Sequence, residues 1–162
     1  MSIILSISAL YIVQKLFKIN INEKINFIYI VFIFMAHFLG VIVDLYTKVY
    51  WFDKFVHFTS GTISSLCAIY LLARNKCNKH ILLNILFILS FSMLIASVWE
   101  VFEYLSSYYF NVDPQKVIIT GVTDTMGDII VALLGSILVC ICYWFEHKEN
   151  YNLIIKAYEK LV

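Results

Sequence analysis

Charged side chains are scarce in this chain. They make up 14% of its 162 residues, whereas 62% of the residues are hydrophobic and only one is a proline. A water-soluble globule of this size needs a polar shell that such a composition does not supply. In a lipid bilayer, by contrast, a helix tolerates apolar side chains on every face. The composition therefore predicts an integral membrane protein.

The sequence also lacks the alternating apolar segments of about ten residues that build membrane barrels. Its apolar stretches are continuous and long, which favours helices. We expect an all-α polytopic membrane protein: a single domain over residues 1–162, with a bundle of about five transmembrane helices and a short C-terminal amphipathic helix over 151–161. Hydropathy places the spans at about Ile3–Phe17, Ile25–Val43, Phe58–Ala73, Ile81–Leu105 and Gly121–Phe145.

Basic residues are unevenly distributed among the predicted connections. Nine of the twelve flank the first and third connections or follow the last span, which predicts an N-terminus outside and a cytoplasmic C-terminus. The first segment has neither the basic start nor the cleavage site of a signal peptide, so we expect it to remain in the mature protein.

Acidic residues concentrate on the predicted outer half. Seven of the eleven lie there with only three lysines, and an unpaired carboxylate in lipid is costly. Bound metal, shared protons or both would resolve this deficit. The seven are Asp44, Asp53, Glu100, Glu103, Asp113, Asp124 and Asp128.

Other reactive groups are missing from the same half. None of the four cysteines lies there, so no disulfide is expected. No nucleophilic serine or cysteine stands in a recognisable motif, and no arginine is present to clamp a phosphate. The chemistry of this half therefore depends on carboxylates and histidines.

Three polar pairs lie on three predicted spans at spacings of three or four residues, which in a helix puts each pair on one face. The pairs are Asp53 with His57, Glu100 with Glu103, and Asp124 with Asp128. Helical bundles build metal sites in this way, and mostly oxygen ligands with an imidazole suit Zn, Mn, Fe or Mg. We expect Glu100 to act as general base. The predicted metal ligands are Asp53, His57, Glu103, Asp124 and Asp128, and His37 and Asp44 are predicted to support them.

Structural interpretations of the same residues stay open. Asp53 and Asp124 are also suited to capping helices. Glu100 and Glu103 stand beside aromatic residues and would fit an interfacial belt facing headgroups. His37 by itself is more typical of a structural histidine. The convergence of three same-face pairs on one leaflet favours a shared polar site.

Three motifs in order, "YWFDKFVHFTSG", "WEVFEY" and "GVTDTMGD", resemble those of the YjdF-like family of small bacterial inner-membrane proteins. The resemblance extends over roughly residues 37–136. It implies a multi-pass protein of the bacterial plasma membrane with polar residues at these positions. It implies no particular reaction.

The D-K-x-x-H step from Asp53 to His57 is also similar to one in the VanZ-like membrane family, which is associated with glycopeptide resistance and the cell envelope. The VanZ-like pattern has amide partners on later helices. This chain has Glu103 and Asp128 instead, which makes its site more acidic and better suited to a metal.

Three functions follow as hypotheses. The first is a metal-dependent hydrolase or transferase that acts on a lipid or lipid-linked envelope substrate at the outer leaflet. The second is a proton- or cation-coupled transporter or ion-binding module, since intramembrane acids are typical of such pathways. The third is a non-catalytic membrane partner protein whose polar cluster is structural. Membrane lipids are the expected partners, and nothing in the chain suggests nucleic-acid binding.

Overall fold

The computed structural model describes residues 6–8, 11–12, 14–15, 23–75, 77 and 80–149. Within these ranges all regular structure is helical, which confirms the all-α class. The elements are α1 (Glu23–Ile33), a π-helix, π1 (Phe34–Ile42), α2 (Leu45–Lys48), α3 (Phe52–Arg74), α4 (Ile81–Phe110), α5 (Val117–Thr120) and α6 (Thr123–Glu149). The predicted first span lies mostly outside the described residues, and the predicted C-terminal amphipathic helix lies wholly outside them.

Four helices in the described part of the chain are long and apolar enough to cross a bilayer: Glu23–Ile42, Phe52–Arg74, Ile81–Phe110 and Thr123–Lys148. They match the last four predicted spans, and the protein is a multi-pass membrane protein. Two helices extend further than hydropathy indicated, because polar helical turns continue beyond the apolar stretch. Thus α3 begins at Phe52 rather than Phe58, and α4 ends at Phe110 rather than Leu105.

The chain forms two compact units, Met1–Val56 and His57–Val162. The single-domain assignment stays a prediction. In the first unit, Ala36, Phe52 and Val56 form a small apolar core. The π-helix ends with the backbone N–H of Val43 donating to the Phe38 carbonyl at 2.9 Å, five residues back.

Small residues bring the helices of the second unit together. At Gly61 in α3, a Cβ atom would collide with the backbone of Ala132 in α6, and at Gly135 it would collide with the Phe58 carbonyl. Glycine at these two positions therefore permits backbone contact between the helices. One turn further along α3, the buried Ser65 hydroxyl donates to Ser136 Oγ at 2.8 Å.

The interior of this unit is layered along the helix axes. The buried positions of α4 recur every four residues, at Asn84, Ile88, Ser92, Ala96 and Glu100. Ser92 donates to the Gly61 carbonyl at 3.2 Å in the small-residue region. Beyond it lies an apolar cluster of buried residues, comprising Ala68, Ile69, Leu72, Ile88, Val139, Cys140 and Tyr143. Polar groups at the two ends of the unit are thus separated by an apolar layer.

Candidate functional site

Three buried ionisable residues of the second unit come from three different helices. His57 lies in the first part of α3, Glu100 is the last residue on the buried face of α4, and Asp128 lies in the second turn of α6. Their exposed fractions are 8%, 5% and 3%. We call these three residues the carboxylate end of the unit. Charged groups are this well buried only where partners or ions compensate for lost water.

The His57 ring lies between the two carboxylates. Its Nδ1 atom is 4.0 Å from Glu100 Oε1, and its Nε2 atom is 3.7 Å from Asp128 Oδ1. Both separations exceed the range of about 2.7–3.2 Å for a direct N–H···O hydrogen bond. The ring therefore presents one nitrogen towards each carboxylate with space between the atoms.

Gln115 is a member of this site that sequence reasoning missed. It is buried, and its Nε2 group donates both to Glu100 Oε2 and to the Glu100 carbonyl, each at 3.1 Å. These contacts position one oxygen of the Glu100 carboxylate and direct the other towards His57. Gln115 lies in a connection without periodicity, next to the only proline of the chain, so no spacing pattern indicated its role.

Asp124, a predicted metal ligand, is buried one helical turn before Asp128 in α6. Its Oδ2 atom is 3.4 Å from Lys116 Nζ. The neighbouring Asp113 carboxylate accepts hydrogen bonds from the backbone of α5, from Val117 N at 2.8 Å and from Ile118 N at 3.1 Å. Lys116 thus supplies positive charge beside an acidic site, and Asp113 stabilises the turn that carries it.

Asp53 lies one turn before His57 in the continuous helix α3, as its i, i+4 spacing predicted. The two side chains offer ligand atoms within 4.8 Å of each other along that helix. Asp53 Oδ2 is also 3.9 Å from Lys54 Nζ. The same-face arrangement of this pair is therefore real, and its role as a ligand pair stays a prediction.

The two glutamates of α4 have different environments. Glu100 is buried at the carboxylate end, which does not fit a headgroup-facing position. Glu103 is half-buried, and its Oε1 atom accepts a hydrogen bond from Trp99 Nε1 at 2.8 Å. The structure thus places Glu100 against His57 and gives Glu103 a partner on its own helix.

The two predicted supporting residues belong to the first unit. His37 is buried in π1, with its Nε2 atom 2.9 Å from the Ser6 hydroxyl. Asp44 precedes α2 in a left-handed conformation, with φ of 64°, which aspartate tolerates better than most residues. Its carbonyl accepts a hydrogen bond from the Thr47 hydroxyl at 3.3 Å. These local contacts give each residue a structural role, and their supporting role at a metal stays a prediction.

A model of the family described as "Predicted membrane protein (DUF2238)" matches residues 2–149 of the chain. The chain belongs to this family. No curated protein and no solved structure matches it. Membership agrees with the multi-pass membrane architecture, while the VanZ-like similarity of the D-K-x-x-H step finds no support in these comparisons.

Proposed function

We propose that this DUF2238 protein binds a divalent metal ion at the carboxylate end, with His57 and Asp128 as ligands. The observation that carries the proposal is the 3.7 Å separation between His57 Nε2 and Asp128 Oδ1, both buried. Two ligands each about 2.1 Å from one ion in tetrahedral geometry are about 3.4 Å apart. The pair is thus spaced as ligands of a shared ion rather than as a direct hydrogen bond.

Glu100 fits the position of a residue that orients the histidine ligand. Metal-bound histidines commonly direct their second ring nitrogen to a carboxylate, which sets the tautomer and the ring orientation. Glu100 Oε1 faces Nδ1 at 4.0 Å, and Gln115 holds the other carboxylate oxygen. In this arrangement Nε2 is directed towards Asp128. The use of Glu100 as a general base is an alternative role for the same carboxylate.

Asp124 is suitable to complete the coordination, because it lies one turn before Asp128 on α6. Asp53, one turn before His57 on the continuous helix α3, stays a predicted ligand. Carboxylates with one imidazole suit Zn, Mn, Fe or Mg. Recruitment of Asp124 by the ion requires its ion pair with Lys116 to open.

The apolar layer favours a site with access from one side over a transport pathway. Ile69 and Ile88 are essentially fully buried between the carboxylate end and the opposite end of the same unit. An ion or proton that crossed this layer would lose its polar partners. We therefore assign binding and chemistry, rather than passage, to the carboxylate end.

The reaction that fits best is metal-dependent hydrolysis or transfer on a lipid or lipid-linked phosphate. A bound divalent ion polarises a phosphoryl oxygen and acidifies a coordinated water. Lys116, beside the site, is suited to attract an anionic headgroup. The distribution of basic residues favours the outer leaflet, and the YjdF-like resemblance favours the plasma membrane of a bacterium.

Metal analysis of the detergent-purified protein tests the binding proposal. Plasma mass spectrometry measures the bound metal before and after each ion is added back. We expect near-stoichiometric Zn, Mn or Fe in the wild type and loss of the bound metal in His57→Ala. His80→Ala is the matched control, because His80 is exposed and its side chain makes no capping hydrogen bond. If no divalent ion binds to the folded wild type, including Mg, the metal proposal is wrong.

The reaction is tested separately, with a lipid phosphate monoester in vesicles as the probe. We expect the metal-loaded protein to release inorganic phosphate and the His57→Ala protein not to do so. Bound metal without phosphate release would contradict hydrolysis of this ester class while leaving the metal site in place.

A further inference from the structure

The connection between α4 and α6 has two chemically different sides. On one side, Gln115 donates to Glu100 of the carboxylate end, and Lys116 pairs with Asp124, one turn before Asp128. The other side carries exposed apolar side chains, and two isoleucines of α5, Ile118 and Ile119, are 88% and 86% exposed. We call the exposed apolar set the isoleucine face; it comprises Val117, Ile118, Ile119 and Val122.

The position of this connection favours lipid as the partner of the isoleucine face. It joins the end of one span, Phe110, to the start of the next, Thr123, so it lies at a membrane surface. At the end of α4, where the connection begins, Tyr108, Tyr109 and Phe110 are also exposed. Aromatic side chains at a span end are typical of the interface between headgroups and acyl chains. The isoleucine face therefore belongs to a connection that begins with exposed aromatic residues, as expected of a segment at the lipid interface.

The backbone of α5 is suited to an apolar environment. The N–H groups of Val117 and Ile118 donate to the Asp113 carboxylate. Those of Ile119 and Thr120 donate to the Lys116 carbonyl at 3.0 and 2.9 Å, and that of Gly121 donates to the Val117 carbonyl at 3.0 Å. Because these donors are satisfied within the turn, their transfer out of water leaves no N–H without a partner.

We propose that the isoleucine face inserts into the phospholipid interface and thereby holds Gln115 and Lys116 over the carboxylate end. The partner is the bilayer itself, which receives the isoleucines at the boundary between headgroups and acyl chains. This docking is independent of the metal and of any reaction, so it can be tested whether or not the proposed function is correct.

A fluorescent label at residue 119 measures the depth of the turn. The experiment uses Ile119→Cys in the full chain with the four native cysteines replaced by alanine, reconstituted in phosphatidylcholine vesicles. Brominated phosphatidylcholine should quench the label nearly as strongly as it quenches one at Ile130→Cys, which lies on the exposed apolar surface of α6. Asn75→Cys, exposed in the connection after α3, serves as the aqueous reference.

Two results would overturn the proposal. Quenching by aqueous iodide as strong as at residue 75 would place the turn in water. Protection from both iodide and brominated lipid would place a protein surface, such as a second copy of the chain, over the isoleucine face.

Hydrogen exchange in lipid nanodiscs tests whether docking holds the turn in place. We expect Ile118→Ser with Ile119→Ser to accelerate amide exchange across residues 113–121 by about tenfold or more, because two apolar anchors are lost. Leu94→Ser, which removes an exposed leucine from α4, is the control and should leave this exchange unchanged. Equal exchange in the double variant and the wild type would show that lipid contact does not hold the turn.

Discussion

The two ends of the second unit contain buried polar groups of different kinds. At the carboxylate end, the ionisable atoms of His57 face those of Glu100 and Asp128 at 4.0 and 3.7 Å. At the opposite end, which we call the amide end, Asn84 Nδ2 donates to the Cys77 carbonyl at 2.7 Å and to the Tyr143 hydroxyl at 2.9 Å. At the first end, ionisable groups face each other at wide spacing, whereas Asn84 and Tyr143 at the second end are neutral groups joined by a close hydrogen bond.

This difference distinguishes a site from a structural contact. A neutral amide and a phenol that hydrogen-bond directly to each other leave no room for a ligand between them. The facing atoms of His57 and Asp128 are instead 3.7 Å apart, which fits the proposed shared ion better than a direct hydrogen bond. Substitutions at the carboxylate end should therefore change ligand binding first, whereas those at the amide end should change stability first.

The largest effect is expected from Asp128→Asn, which keeps the side-chain shape but removes a charged ligand. The affinity for the divalent ion should fall by roughly a hundredfold or more, since loss of a supporting residue alone costs about 10–100-fold. Isothermal titration with the ion found in the purified protein measures this change. Glu23→Gln removes an exposed carboxylate and should have no effect. Unchanged affinity in Asp128→Asn would remove Asp128 from the ligand set.

Gly61→Ala should break the helix contact on which both ends depend. The new Cβ atom would meet the backbone of Ala132, which cannot move aside as a flexible side chain does. Overpacking of this kind costs roughly 1–3 kcal/mol. Unfolding in mixed detergent micelles, followed by circular dichroism, measures the loss. Gly40→Ala is the comparison, because the atoms nearest its Cβ belong to the Tyr46 side chain rather than to a backbone. An equal loss in both variants would contradict the assignment of special closeness at Gly61.

Asn84→Leu tests whether the amide end has a structural role only. It removes two hydrogen bonds and leaves the Cys77 carbonyl and the Tyr143 hydroxyl with one partner fewer. We expect a loss of about 1–2 kcal/mol in the free energy of unfolding and no change in metal affinity. Tyr143→Phe should reproduce part of that loss. A large decrease in metal affinity in Asn84→Leu would show that the two ends are coupled rather than independent.

The smallest effect is expected from Gln115→Met, which preserves side-chain length but removes both hydrogen bonds to Glu100. Glu100 would then hold His57 less firmly, and metal affinity should fall a few-fold, or roughly 0.5–1 kcal/mol. Pro114→Ala changes an exposed neighbour and is the control. If titration gives equal affinities for Gln115→Met and the wild type, Gln115 does not act through Glu100.

Much of the architecture was predictable because lipid imposes simple rules on composition. Continuous apolar stretches indicated four of the helices that the structure contains, and helical spacing put Asp53 with His57, and Asp124 with Asp128, in common helices. The predicted ends of the helices were less accurate, because α3 and α4 extend through polar turns beyond the apolar stretches. The three-residue spacing of Glu100 and Glu103 did not indicate that one is buried beside His57 and the other is half-buried beside Trp99.

The sequence by itself determined that this chain is a helical membrane protein with ionisable pairs at the ends of its spans, because length, hydropathy and helical period are local properties. Only the tertiary structure decided that His57 lies between Glu100 and Asp128, and that Gln115 reaches Glu100 from a loop. The physical reason is that the rotation of each helix and the path of each connection depend on packing between distant residues, such as Gly61 against Ala132.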